Sequence, residues 1–132
     1  MAQADTNAAR AILRIAAVIG LLYGLGFLFV PIVLFGFSQD PGVPADPGWV
    51  RWSGGFIIGV AIGAWLASDR PETQRPMIFG LAVAYTLTAL ALLYSTFSGE
   101  YAGTAWWIWL GIVVTAALAA GMWWLIASMR AD

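Results

Sequence analysis

Only 10% of the 132 residues are charged and 61% are hydrophobic, whereas a soluble domain carries roughly 25% charged residues and a short chain has little interior in which to hide apolar surface. The net charge is -1, and all basic residues are arginines, which leaves no basic patch for nucleic acid and no pull toward acidic substrates. With no cysteine and no histidine, the chain lacks disulfides, thiolate nucleophiles, zinc–thiolate sites and the usual ligands of haem iron.

Four uncharged runs, 15–37, 52–68, 77–98 and 101–129, carry the apolar residues. A membrane span needs about 20 such residues, within a range of roughly 17–25. The expected fold is therefore an all-α membrane protein, a single domain over 1–132 with four transmembrane helices in an up-down-up-down bundle. The helices are expected at about 11–37, 50–68, 76–98 and 103–129. The polar residues that open the chain, up to Arg10, do not read as a cleaved signal, and the run behind them is long for one. It is expected to be retained as the first span.

The first helix holds Gly20, Gly24 and Gly26, and then Pro31 near its far end. Proline has no N–H to offer the carbonyl of Phe27, so a kink is expected there. The following loop, 38–48, contains Asp-Pro-Gly twice, which is turn chemistry. Its two aspartates, Asp40 and Asp46, are few for a calcium ion that takes 6–8 oxygens.

The second helix opens with Arg51, and Gly55, Gly59 and Gly63 follow at four-residue steps. In lipid, a stripe without side chains lets another helix approach closely, because apolar tails give helices no hydrophobic reason to associate. The arginine heading that stripe is either snorkelling to headgroups, pairing with Asp46 or Glu100, or holding an anion. Arg14 stands in a similar position on the opposite side, with Asp69 as a partner across the first hairpin. The short link 68–76 carries two prolines and predicts a tight hairpin, with Pro76 in the first turn of the third helix. The third helix repeats the small-residue spacing at Gly80, Ala84 and Thr88, and the fourth at Gly111, Thr115 and Ala119. A helix-packing role is expected for Gly20, Gly24, Gly55, Gly59, Gly63, Gly80, Ala84 and Gly111.

Aromatic residues gather at the helix ends, where indoles favour the headgroup level. An aromatic belt explains them; a quinone or pigment stacked on Trp106, Trp107 or Trp109 is the alternative. Arg10, Arg14, Arg70, Arg75 and Arg130 fall on one side of four crossings, with Arg51 on the other. The positive-inside rule then places both termini in the cytoplasm.

No Asp, Glu, Lys or His lies deep in any run, so the groups that relay protons in pumps and transporters are missing. A hydrolase would need a base beside its nucleophile, and the hydroxyls in these helices have none. Tyr23 and Tyr85 are each about nine residues from the arginine-rich side, roughly 13 Å at the helical rise, with Thr88 and Thr115 somewhat deeper. These four, with Arg51, Trp106 and Trp107, are the candidate contacts for a ligand or headgroup.

The arginine at the head of Leu13-Arg14-Ile-Ala-Ala-Val-Ile-Gly20, the Arg51-Trp-Ser-Gly-Gly55 segment and the Arg70/Arg75 hairpin resemble a small bacterial four-helix membrane family of unknown function. Its general layout is similar to that of the DoxX-like proteins. The resemblance covers most of the chain and implies a bacterial inner-membrane bundle without catalytic residues. The tryptophan-rich fourth helix and the proline-rich loop depart from it.

The expectation is thus a non-enzymatic accessory or structural subunit that packs against other membrane subunits or itself, surrounded by lipid. The competing expectation is a binder or carrier of a lipid-like, quinone or carotenoid molecule within the bundle. The residues predict no cofactor.

Overall fold

The computed structural model describes residues 3–31, 33, 48–98 and 106–129. They form four α-helices: α1 (Gln3–Phe29), α2 (Gly48–Ala67), α3 (Arg75–Phe97) and α4 (Trp106–Ser128), with one 3-10 turn at Pro71–Thr73. There is no strand among the described residues. Each helix contains a span long and apolar enough to cross a membrane, the shortest being Val50–Ala67 with 18 residues.

The helix ends follow local chemistry. α1 begins at Gln3 rather than near residue 11. Its first residues are polar but rich in alanine, the best helix former, so the helix runs well ahead of the apolar span. At the other end, Val30 N–H still donates to the Gly26 carbonyl at 2.9 Å, but the helix stops at Phe29. Residues before proline are pushed away from α conformation. Pro31 and Val33 are helical again, so the expected kink is a break at Val30. The Asp40 and Asp46 loop lies outside the described residues.

The link from α2 to α3 is tight. Ser68 N–H donates to the carbonyls of Ala64 and Trp65, and the Ser68 hydroxyl also donates to Trp65 O at 2.6 Å. Thr73 N–H and Oγ1 both donate to the Arg70 carbonyl, and Pro71 is buried. Pro76 sits in the first turn of α3, where its missing N–H costs nothing.

The helices associate as two antiparallel hairpins, α1 with α2 and α3 with α4. In the first, Gly24 lies against Gly54 and Ile58, and Gly20 against Ala61. In the second, Trp123 Nε1 donates to Thr86 Oγ1 at 3.0 Å, and Phe79 meets the Trp123 ring edge-on at 5.7 Å. The hairpins share a core built from Leu13, Ala16 and Ala17 of α1, Ala64 and Ala67 of α2, Ile78 and Leu81 of α3, and Met122 and Leu125 of α4. All of these lie in the half nearer the Arg70–Arg75 link. Farther out, Phe56 and Trp52 sit seven and eleven residues before Gly63, on the helix face that meets α3 there. They are 66% and 76% exposed. The hairpins thus join at one end and present apolar faces outward at the other.

Candidate functional site

The stripe Arg51–Gly55–Gly59–Gly63 changes its surroundings along its length. A Cβ on Gly63 would meet the Met77 methyl of α3, whereas Cβ atoms on Gly55 and Gly59 would meet nothing within 4 Å. Four residues overshoot one helical turn by about 40°, so the stripe rotates away from α3 as it climbs. Arg51, at its far end, is exposed. None of the described residues pairs with it, and Asp46 and Glu100 lie outside them.

The glycine that α2 turns toward α1 is Gly54. A Cβ there would lie 2.8 Å from both Gly24 O and Leu28 N, and one on Gly24 would lie 2.9 Å from Gly54 O. The two backbones touch, which only glycine permits. Gly20 and Gly24 therefore pack within the chain. At Gly111 a Cβ would stand 3.5 Å from the Leu92 side chain, an ordinary contact. Gly80 faces open space and Ala84 is exposed.

The hydroxyls do not converge on one another. Thr88 Oγ1 donates to Ala84 O at 2.8 Å, and Thr115 Oγ1 to Gly111 O at 2.8 Å, each back-bonding along its own helix. Thr88 is exposed. Tyr23 is also exposed and stands edge-on to Phe27 at 6.0 Å, whereas Tyr85 is half-buried against the shared core. The side chains of Trp106 and Trp107 lie outside the described residues, so their candidate ligand contacts do too. No group of three or more His, Cys, Asp or Glu side chains comes together among the described residues.

A polar site forms at the opposite end from Arg51. Asn7, Arg10, Ala11 and Arg14 of α1 and Asp69 from the link line a pocket of about 510 Å³. Asn7, Arg10 and Arg14 are three and four residues apart and therefore share one helix face. Each arginine is held by a neutral partner. Arg10 Nη2 donates to the Asp69 backbone carbonyl at 3.4 Å. Arg14 Nε donates to Ser68 Oγ at 3.4 Å, and its guanidinium lies over the Trp65 ring, 5.6 Å from the centroid. Ser68 is fully buried, so the anchor of Arg14 is fixed by packing.

The sequence offers Asp69 as the partner of Arg14; the structure gives Arg14 to Ser68 and Trp65 and brings Arg10 to the Asp69 backbone. Asn7 and Arg10 escape a reading of candidate sites by sequence, because hydropathy starts the first helix after them. The Asn-x-x-Arg-x-x-x-Arg spacing is the available signal. It becomes meaningful once the helix is extended to Gln3.

Comparison with family models, curated proteins and solved structures finds no match to this chain.

Proposed function

We propose that this chain is a multi-pass, non-enzymatic membrane protein of the bacterial inner membrane that serves as an accessory or structural subunit of a larger membrane assembly. One observation carries the proposal: Gly55 and Gly59 form a bare strip of α2 with nothing of the described chain against it. Where helices of this protein do pack most closely, at Gly24 and Gly54, they use glycine to bring backbones together. The same device facing outward suits a helix from another subunit or a second copy. Orientation follows the arginines: Arg10, Arg14, Arg70 and Arg75 share one end of the bundle and mark it as cytoplasmic, which puts both termini inside.

The test is purification in a mild detergent at native expression level, followed by mass spectrometry and sizing. A co-purifying membrane chain or a stable self-complex is expected, lost in the G55L/G59L double variant while thermal stability of the isolated chain is unchanged. A lone monomer in both proteins overturns the proposal.

A further inference from the structure

We propose that the pocket between the start of α1 and the α2–α3 link is a binding site for a phosphate-type oxyanion, with Arg10 and Arg14 as its two ligating groups. The proposal goes beyond the subunit role and does not depend on it. Two guanidinium groups four residues apart on one helix face repel each other. Here both nonetheless line the same pocket. Their anchors are a carbonyl, a hydroxyl and an indole ring, none of which cancels their charge. The Arg14 anchors use only Nε and the face of the group, so both terminal nitrogens stay available. Arg10 commits one terminal nitrogen and keeps the rest.

A guanidinium presents five N–H donors in a planar fork, which matches the paired oxygens of a phosphate. Asn7 adds a further polar group to the lining. Among the described lining residues Asp69 is the one acid, and two arginines against one aspartate leave them at +1. Arg70 and Arg75 flank the same end of the bundle with Glu72 between them, so the link adds net positive charge to the local potential. The uncharged run of α1 begins at Ile15, next to Arg14, so in the proposed membrane the pocket stands at the polar end of that run, where headgroups lie. The oxyanion is thus either the phosphodiester of an anionic phospholipid or a free phosphate group reaching the same guanidiniums from the water.

Thermal stability of the purified full-length chain in neutral detergent, titrated with dioctanoyl phosphatidylglycerol and separately with inorganic phosphate, distinguishes the two sources. Stabilisation by the lipid alone assigns a headgroup site, and stabilisation by both assigns a site open to free phosphate. Each of R10Q and R14Q is expected to weaken the effect roughly tenfold, the loss of a charge-assisted hydrogen bond. D69N is expected to strengthen it, and R51Q, at the far end of the bundle, to leave it unchanged. No stabilisation by either probe overturns the proposal. So does undiminished binding in both arginine variants, or, should those fail to fold, binding by D69N no tighter than that of the native chain.

Discussion

Gly54 and Gly55 are neighbours in sequence with opposite surroundings. A side chain on Gly54 would drive into Gly24 O and Leu28 N, whereas one on Gly55 meets nothing within 4 Å. Backbone atoms cannot swing aside as a flexible side chain does, so the hairpin has to open to admit it. Gly54→Leu is expected to destabilise the isolated chain by about 1–3 kcal/mol, the usual cost of overpacking, and Gly55→Leu to leave it within error. Thermal unfolding in detergent, followed by circular dichroism, compares the two. Equal stability of the variants would show that Gly24 and Gly54 do not form the close approach. At Gly63 the outcome is intermediate, because the atom in the way is the free end of Met77.

At the scale of helices, α3 and α4 are held by a different device from α1 and α2. Their seam carries the Trp123–Thr86 hydrogen bond, and Thr86 donates its own proton to Ala82 O at 2.7 Å. Thr86 thus acts as acceptor between helices and donor within one. Trp123→Phe keeps a ring against Phe79 but removes the N–H; Thr86→Val removes the acceptor. A double-mutant cycle is expected to give a coupling of about 0.6 kcal/mol, typical of hydrogen bonds between membrane helices. Trp123→Ala should cost more than Trp123→Phe, since it also deletes the edge-on ring contact. Stability that is additive across the cycle would mean the seam is held by packing alone.

Across the whole molecule, the shared core and four of the arginines lie at the same end. The core sits beside the Arg70–Arg75 link, and the outer halves of the hairpins expose large apolar side chains such as Phe29, Trp52, Phe56 and Phe97. An environment of lipid tolerates that exposure; water does not. Because the chain has no cysteine, single cysteines report topology without a background. In right-side-out vesicles, Asn7→Cys and Thr73→Cys are expected to resist a membrane-impermeant maleimide until the membrane is opened. Labelling of either one in sealed vesicles would invert the proposed orientation.

The number of helices, their capacity to span a membrane and the segregation of arginines were legible in the sequence, because hydropathy and charge are properties of a run of residues and need no partner. The near-continuous apolar character of α2 could not show which of its faces turns toward α1. Gly54, outside the evident four-residue stripe, took that position, while Gly55 and Gly59 were left open. Rotation of a helix about its own axis is set by what packs against it, and a drift of about 40° per four residues carries one stripe from contact to exposure. The arginine pocket was legible only in part. The first hairpin already paired Arg14 with Asp69 in the sequence, but a polar, alanine-rich helical extension is invisible to hydropathy, so Asn7 and Arg10 stayed outside that reading until α1 was extended to Gln3. The spans were decided by composition along the chain, and the pocket by which helix faces meet.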